Sequence, residues 1–587
     1  MQITCQKTIL AVLLAFSSAG LFAANVTTLN GTDFKGADHF RDIVQDRQNV
    51  GSVYPVESKR NTLTAEFELE PSADNFFVYI NGSYYKNPQK HSVNFCINET
   101  SFYKGNTKFS NGKWSWETFT VSSDVLTEKN TIKLENLEEK GLYGDTGCFM
   151  VWQCVISEKP LEPEKLQPDP LEQFGFDLEA GQYNLFTQGP KPGFKFRGIK
   201  GWNFSVEDYM DIIPFMAENK MNFLMNCYLS VFPRTEKMLT FENCLVPHHN
   251  NWWEDISNSE KEGYEKIVQR CRENDIIFCF SMNPNYHSTR AFDYKNEQDF
   301  NDLLKHYLWA QSIGVRWFNV SFDDIKTGID PKGQAQSVSR LLGILRERDS
   351  EAQMIFCPTY YRGPYNDKER EYLEALKEHL PEDTYIFWTG AGRNQRITKE
   401  EAAEYKEAIG RRLILWDNYP VNNGSNTMHL GPLIGRDPQI AQIADGYISN
   451  PMWPQVSLNQ LPLITAADFA YNPWQYDARK SIAAAIKKLT NSEKQAQIIR
   501  ELVNLYQGKI YYNRESGFNS FVYKFNKITE IEHSRTIAKA FIKHSETVLE
   551  DAAENLPDDK FKFARQRLSS DLKAIKRTYD RVYGTIE

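Results

Sequence analysis

The sequence predicts a multidomain α/β chain with an N-terminal β-sandwich, a central (β/α)8 TIM barrel and a C-terminal helical bundle. Three observations support this. Short alternating apolar stretches extend to residue 158, strand and helix patterns alternate from 190 to 480, and helical periodicity is almost continuous from 481 to 587. The chain of 587 residues also exceeds one hydrophobic core, because domains usually hold about 150 residues.

The N-terminal segment 25–158 contains short strand patterns such as Phe76–Ile80 and Thr131–Leu134. The dipeptides Asn81-Gly82 and Asn111-Gly112 are typical of tight turns, so we expect turns at both positions. Strands at this spacing predict a β-sandwich. Such a domain can bind carbohydrate or only brace its neighbour, and the pattern leaves both interpretations open. Segment 159–189, whose first half is rich in proline, is predicted to be a linker.

Eight strand patterns between residues 190 and 480 predict a parallel barrel, because amphipathic helical patterns separate them. The predicted strands are Phe194–Trp202, Met221–Leu229, Ile276–Met282, Val315–Phe322, Gln353–Tyr360, Thr384–Trp388, Arg412–Trp416 and Gly446–Asn450. The clearest helical patterns are Val206–Glu218, Ser259–Glu273, Ser337–Arg348 and Lys399–Ile409. In this fold the functional site lies at the carboxyl ends of the strands.

The charge and the N-terminus exclude some classes of function. The net charge of −9 and the absence of a Lys/Arg-rich run argue against a nucleic-acid partner. Lys7 precedes the apolar run Ile9–Phe22, and Ala23 and Ala24 follow it, which predicts a signal peptide over residues 1–24. That run is too short to span a bilayer, so we expect no membrane insertion and a secreted or periplasmic protein.

The cysteines do not indicate a metal site, because none of the nine forms a CxxC pair. We therefore expect no metal and no cofactor. One disulfide among Cys96, Cys148 and Cys154 is left open by the sequence. The remaining strand cysteines, Cys227, Cys279 and Cys357, are predicted to be small buried thiols.

Two adjacent carboxylates follow the fourth predicted strand, where Phe322 is succeeded by Asp323 and Asp324. At an arbitrary strand end, one aspartate would cap the next helix and the other would be solvated. Four later strand ends argue for a site instead, since they also carry polar or aromatic residues. These ends read Pro358-Thr359-Tyr360-Tyr361, Trp388-Thr389-Gly390, Trp416-Asp417-Asn418-Tyr419-Pro420 and Asn450-Pro451-Met452.

In order and strand position these motifs, together with Gly431-Pro432-Leu433 and Arg436, resemble the catalytic domain of glycoside hydrolase family 84. This family includes protein O-GlcNAcases and hyaluronidase-like enzymes. The resemblance covers about residues 190–480 and implies a β-N-acetylglucosaminidase that acts on a glycan or glycoprotein bearing a 2-acetamido sugar. It also implies substrate assistance, in which the acetamido oxygen attacks the anomeric carbon and gives an oxazoline.

The resemblance further implies roles for individual residues. Asp323 would orient and polarise the acetamido N–H, and Asp324 would be the general acid and base. Two carboxylates held close would also raise one pKa, which keeps an acid protonated near neutrality. The predicted substrate-binding residues are Gly201, Tyr361, Thr389, Trp416, Asn418, Asn423 and Asn450. For Trp416, packing in the barrel is an equally good interpretation.

The sequence departs from the family pattern at three places. The first strand ends Lys200-Gly201-Trp202-Asn203-Phe204, which keeps only Gly201 of the family's Glu-Gly-Phe-Tyr-Gly loop. Leu229 stands where the second strand presents a lysine, and Asn423 stands where a carboxylate contacts the outer hydroxyls. Each lost charged contact corresponds to about 1.5–3 kcal/mol. Two alternatives follow: the same chemistry on another 2-acetamido sugar, or a non-catalytic sugar-binding protein on a degenerate barrel.

Overall fold

The structure is a computed structural model that describes residues 26–584 with gaps, the longest of which are 85–91, 140–148, 162–182, 232–249, 391–396 and 508–519. Smaller gaps that touch the predicted site are 202–203, 229–230 and 423–426. The predicted signal peptide therefore lies outside the described residues, as do Leu229, Asn423, Asn111-Gly112 and Cys148. The chain divides into two compact units, which meet in sequence between residues 169 and 170.

The first unit is a β-sandwich of two antiparallel sheets, as the sequence predicts. One sheet has the order β3-β4-β11-β6-β9, with β1 beside β11, and the other has the order β2-β5-β10-β7-β8. Both sheets contribute to one apolar core, with Val78 and Ile80 from the first and Leu63 and Ile132 from the second. The strands are β1 Val26–Asn30, β2 Lys35–Gly36, β3 Asp38–Asp42, β4 Arg47–Val53, β5 Thr62–Phe67, β6 Asn75–Tyr84, β7 Ser92–Ile97, β8 Thr100–Asn106, β9 Ser115–Ser122, β10 Asn130–Asn136 and β11 Phe149–Ser157.

The predicted turn at Asn81-Gly82 is wrong, because both residues lie inside β6. Asn81 pairs with Trp116 of β9, and Gly82 pairs with Val151 of β11. A Cβ atom at Gly82 would lie 2.4 Å from the ring of Phe109. This glycine therefore allows an aromatic ring to pack directly on the strand backbone, which is a tertiary requirement and not a turn.

The second unit contains a closed parallel barrel in which each strand pairs with its sequence neighbour and the last pairs with the first. The eight predicted strands are all present, which confirms the barrel. Their bounds are β12 Phe196–Lys200, β13 Phe223–Met225, β14 Ile277–Met282, β15 Trp317–Ser321, β16 Gln353–Cys357, β17 Tyr385–Trp388, β18 Arg412–Pro420 and β19 Ala444–Asn450. The seventh strand, β18, runs four residues beyond its predicted end at Trp416.

Helices surround the barrel and follow it. The predicted helices Val206–Glu218 and Lys399–Ile409 have the predicted bounds, and both begin with a capping box. The helices of the barrel are α1 Val206–Glu218, α2 Asn258–Glu273, α3 Glu297–Ser312, α4 Pro331–Arg348, α5 Asp367–His379, α6 Lys399–Ile409 and α7 Gln460–Tyr471. The later helices are α8 Ala478–Leu489, α9 Glu493–Leu505, α10 Ser520–Thr529, α11 Arg535–Asn555 and α12 Asp558–Tyr583.

The barrel strands separate two apolar regions, because successive side chains of a strand point to opposite faces. In β15 and just after it, Phe318, Val320 and Phe322 pack in the layer between strands and helices. A second, smaller cluster fills the barrel interior and includes Cys279, Cys357 and Trp416. The predicted buried thiols Cys227, Cys279 and Cys357 are all buried. Cys96 and Cys154 are free buried thiols, so they form no disulfide with each other.

The C-terminal helices support a loop that follows β18. The backbone N–H of Leu430 donates to the carbonyl of Tyr506, at the end of α9, over 2.9 Å. A Cβ at Gly431 would lie 2.3 Å from the carbonyl oxygen of Gln507, so the two backbones are in close contact. None of the helices that the structure describes combines the length and hydropathy needed to cross a bilayer.

The contact between Gly82 and Phe109 generates a prediction for stability. Gly82→Ala should lower the free energy of unfolding of the sandwich by about 1–3 kcal/mol, because the added methyl group overpacks a buried ring. Gly105→Ala is the matched control on β8, where an added Cβ meets nothing closer than 3.4 Å. Urea denaturation of the full chain, followed through the transition of the N-terminal unit, measures both. Equal losses in the two variants would contradict this packing.

Candidate active site

The two adjacent aspartates leave β15 in different directions. Asn319 and Ser321 lie on the inner face of the strand with Asp323 two residues further on, and all three are buried. A continued strand would turn Asp324 outward, toward the helices. Asp324 instead adopts a left-handed backbone with φ of +59° and is exposed. This conformation is uncommon for a residue other than glycine, and residues of this kind cluster at functional sites.

Asp323 is held inside the barrel by two donors from neighbouring strand ends. The hydroxyl of Tyr228, which follows β13, donates to Oδ2 over 2.9 Å. The amide Nδ2 of Asn283, which follows β14, donates to Oδ1 over 2.9 Å. Asn283 is itself held, because its Oδ1 accepts the backbone N–H groups of Asn285 and Tyr286. The Asp323 carboxyl therefore has a defined position and orientation.

Burial raises the pKa of Asp323 to about 6, since removal from water penalises the charged form. The ammonium of Lys200 acts in the opposite direction, and the carboxylate of Asp324 adds to the increase. This raised pKa belongs to the residue predicted to polarise the acetamido group. Burial and the charge of Asp323 also hold the pKa of Tyr228 well above its usual range, which keeps this phenol a donor.

Lys200, the last residue of β12, lies between two aromatic rings of the barrel interior. Its Nζ is 3.8 Å from the ring centroid of Trp416 and 4.3 Å from that of Tyr228. Its side chain is fully buried. The face of an aromatic ring attracts a cation, and the attraction is stronger where water is excluded.

Tyr361 connects the fifth strand end to Asp324. Its hydroxyl donates to Oδ1 of Asp324 over 2.8 Å. Burial and the two aspartates hold the pKa of Tyr361 above its usual range, so the hydroxyl keeps its proton. Thr389, at the end of β17, is buried, and its backbone N–H donates to the carbonyl of Tyr361 over 2.9 Å. The structure therefore brings Asp324, Tyr361 and Thr389 into one cluster.

Trp416, Asn418 and Asn450 lie at the seventh and eighth strand ends. Nδ2 of Asn450 donates to Oδ1 of Asn418 over 3.1 Å. Oδ1 of Asn450 and Nε1 of Trp416 are buried, and neither makes a hydrogen bond to the described residues. A buried polar atom without a partner costs about 1–3 kcal/mol, so such atoms require an explanation. Both atoms belong to residues predicted to bind the sugar.

The side chain of Asp417 lies on the opposite face of β18 from that of Trp416, and other side chains of the protein bind its carboxylate. The guanidinium of Arg436 donates to both of its carboxylate oxygens, over 2.6 and 2.7 Å. The hydroxyl of Tyr447, on β19, donates to Oδ2 over 2.6 Å. All carboxylate oxygens of Asp417 are therefore engaged, and this buried ion pair connects β18 to the loop that the C-terminal helices support.

Gly201 has a packing reason to be glycine. A Cβ at this position would lie 2.4 Å from the side chain of Tyr209, and the N–H of Gly201 donates to the carbonyl of Met225. Its predicted contact with the sugar stays a prediction, as does that of Asn423, which lies outside the described residues. Among those residues, no group of three or more His, Cys, Asp or Glu side chains could hold a metal ion.

Three residues of the site were not assigned a role by the sequence analysis: Lys200, Tyr228 and Asn283. Asn283 follows the third strand directly, so the rule that polar strand ends form the site could have identified it. In the sequence, Lys200 is distinguished only as a departure from the family loop. Nothing in the sequence marks Tyr228, because its role depends on which side of the barrel its ring enters.

Comparisons with known proteins match this chain to one family model and to solved structures. The model of the β-N-acetylglucosaminidase family matches residues 240–504. A variant of the Thermobaculum terrenum O-GlcNAc hydrolase shares 22% sequence identity and superimposes with a TM-score of 0.55, over 66% of this chain and 84% of that chain. The structure of CpGH84B shares 20% identity with a TM-score of 0.52, over 75% of this chain and 73% of that chain. These two likenesses establish the fold.

The family match favours an enzyme over a non-catalytic sugar-binding barrel, because it includes the strand ends that carry Asp323, Asp324, Tyr361 and Trp416. It ends within α9, the helix whose end supports the loop after β18. Residues 240–504 therefore match the β-N-acetylglucosaminidase family, glycoside hydrolase family 84, and the protein is a glycosidase of the β-N-acetylhexosaminidase type.

Proposed function

We propose that the protein is a retaining β-N-acetylglucosaminidase in which the 2-acetamido oxygen of the substrate is the nucleophile. The observation that carries this proposal is the unequal setting of two neighbouring carboxyl groups. Asp323 is buried and held by two donors, whereas Asp324 is exposed and accepts a hydrogen bond from Tyr361 among the described residues. A buried, oriented carboxylate suits the stabilisation of a developing positive charge. An exposed one suits proton exchange with a leaving group and with water.

The carboxylates of the barrel interior support substrate assistance over a protein nucleophile. A retaining glycosidase with its own nucleophile needs two carboxyl groups about 5 Å apart on either side of the scissile bond. Neighbours on one strand end approach the sugar from the same side. Asp417 is a further carboxylate of this region, but Arg436 and Tyr447 occupy its oxygens. The acetamido group of the substrate is therefore the better candidate for the second group.

In the first step, the acetamido oxygen forms a bond to the anomeric carbon while the bond to the leaving oxygen breaks. Asp324 gives its proton to that oxygen, so the alcohol leaves as a neutral molecule. Positive charge develops on the acetamido nitrogen, and the carboxylate of Asp323 accepts its N–H. Because Asp323 lies in a buried and preorganised setting, this interaction needs little reorganisation when the charge appears.

In the second step, water attacks the anomeric carbon from the face that the alcohol left. The carboxylate of Asp324 removes a proton from this water, and the bond between the acetamido oxygen and the anomeric carbon breaks. The oxazoline then reopens to the acetamido group. Two inversions at the same carbon give net retention, and the enzyme returns with Asp324 protonated.

Two buried polar atoms that make no hydrogen bond to the described residues support the proposed substrate, as do the family match and a similar solved structure. Nε1 of Trp416 can donate to a sugar hydroxyl or acetamido oxygen, and Oδ1 of Asn450 can accept from a hydroxyl. The family match and the O-GlcNAc hydrolase support N-acetylglucosamine on a glycan or glycoprotein. Leu229 and Asn423 keep another 2-acetamido sugar as the alternative. We also propose export, on the basis of the apolar run after Lys7.

The acetamido group itself provides the sharpest test. For aryl 2-acetamido-glucosides with a constant leaving group, each fluorine added to the N-acyl group should lower kcat/KM steeply, because it withdraws electrons from the attacking oxygen. Asp323→Asn should also depress the reaction strongly, since the nitrogen loses its carboxylate partner. The same assay on galacto-configured substrates distinguishes the alternative sugar. A flat response to fluorination, with a glycosyl ester trapped on a protein carboxylate, would assign the nucleophile to the enzyme.

The role of Asp324 predicts a dependence on the leaving group. Asp324→Asn should slow a poor leaving group far more than a good one, by about 10²–10⁴-fold for the poor one, because only that one needs protonation. The measurement is kcat/KM for a series of aryl glycosides of graded phenol acidity. Similar losses across the series would place the acid elsewhere.

The pKa of Asp323 predicts the acid limb of the pH profile. Asp323 must be a carboxylate to accept the charged N–H, and its pKa is about 6. Below that pH the residue binds a proton, so kcat/KM should fall about tenfold per pH unit. The pH dependence of kcat/KM measures this in the free enzyme. An acid limb close to the ordinary pKa of an aspartate would show that Asp323 does not control it.

A further inference from the structure

Lys200 carries a buried positive charge that the proposed reaction does not itself use. It is the last residue of β12, and its side chain has no solvent exposure. Its Nζ lies 3.8 Å from the Trp416 ring and 4.3 Å from the Tyr228 ring. A buried ammonium is expensive unless neighbouring groups compensate it.

Tyr228 connects Lys200 to Asp323. The lysine lies over the face of the Tyr228 ring, and the hydroxyl of the same ring donates to the Asp323 carboxylate. The charge of Lys200 favours the ionised form of Asp323 and opposes the effect of its burial. The same charge acts on the thiol of Cys357, at the end of β16, so its influence extends across the barrel interior.

The other titratable groups that face Asp323 are acidic or neutral. Asp324 follows it in the chain and disfavours its ionisation. Tyr228, Cys357 and Tyr361 all have raised pKa values from burial, so they are uncharged at neutral pH. The guanidinium of Arg362 is 5.8 Å from the ring centroid of Tyr361, and it acts on the pKa of that phenol. Among the described residues, Lys200 is the cation that acts on Asp323 from within the barrel.

We propose that Lys200 is a positioning residue whose ammonium, held between the Trp416 and Tyr228 rings, is the counter-charge that keeps Asp323 ionised. This inference rests on the proposed function for the role of Asp323. Since Lys200 is covered by the two rings, it acts through Asp323 and not on the sugar. It thereby sets how far into acid the enzyme remains active.

The charge of Lys200 also acts against one step of the reaction. The same ammonium opposes the positive charge that develops on the acetamido nitrogen. Lys200 therefore helps only where Asp323 would otherwise bind a proton, and gives no advantage at a pH where Asp323 is ionised without it. A merely structural lysine would instead support activity equally at every pH.

The test compares Lys200→Met with Lys200→Arg and with Lys195→Met. Lys195 directly precedes β12 and is exposed, and its Nζ is 4.9 Å from the Phe196 ring. It is therefore a matched lysine remote from the site. The measurement is kcat/KM across pH on an aryl 2-acetamido-glucoside. In Lys200→Met the acid limb should move to higher pH by about one unit or more. Lys200→Arg and Lys195→Met should keep the wild-type limb.

The effect should depend on Asp323. Combined with Asp323→Asn, Lys200→Met should produce no further change in the acid limb, because the group that it acts on no longer titrates. A limb unchanged in folded Lys200→Met, or a uniform loss at all pH values, would overturn the proposal. Should Lys200→Met not fold, Lys200→Gln replaces it as a neutral variant that can still form a hydrogen bond.

A direct titration separates this inference from the proposed function. Carbon-13 NMR of aspartate-labelled protein, with Asp323→Asn used for assignment, measures the pKa of Asp323 without any substrate. A higher pKa in Lys200→Met than in the wild type supports the inference, and equal pKa values overturn it. Failure of the wild type to hydrolyse any aryl 2-acetamido glycoside would instead reject the proposed function and leave this titration to decide the role of Lys200.

Discussion

The carboxylate of Asp323 lies out of water at the end of β15, and the other features of the site follow from stabilising it there. Tyr228 and Asn283 each donate to one of its oxygens, and the ammonium of Lys200 lies behind the Tyr228 ring. A buried charge with fewer partners would neutralise itself by a larger shift in pKa. The ends of three consecutive strands, β12, β13 and β14, therefore stabilise one functional group at the end of the next strand, β15.

The left-handed residue Asp324 is the second constraint. It turns the chain so that two neighbouring carboxyl groups lie in different environments, one buried and one exposed. The hydroxyl of Tyr361 donates a hydrogen bond to Asp324, and the backbone N–H of Thr389 donates to the carbonyl of Tyr361. On the opposite side, the ion pair between Asp417 and Arg436 connects β18 to a loop that packs on the end of α9. The end of α9 thus supports the loop that carries Arg436.

One departure from the family pattern concerns which barrel strand carries a lysine. Leu229 stands where the family resemblance implies a lysine, and the barrel interior contains Lys200 at the end of β12. A cation on β12 lies under Tyr228 and acts on Asp323, so its effect is on the ionisation of the site. The positive charge of Lys200 therefore acts on a carboxylate of the protein itself, that of Asp323.

Sequence periodicity by itself determined the eight barrel strands and the bounds of helices such as Val206–Glu218, because a strand or helix between two cores leaves a regular apolar pattern. It also located Asp323 and Asp324 at a strand end. The tertiary structure alone decided that Asp323 is buried while Asp324 is exposed, and that Tyr228, Asn283 and Lys200 surround the former. It also placed Asn81-Gly82 inside a strand. Both outcomes depend on residues distant in sequence, since burial and ring packing are set by whichever strands become neighbours.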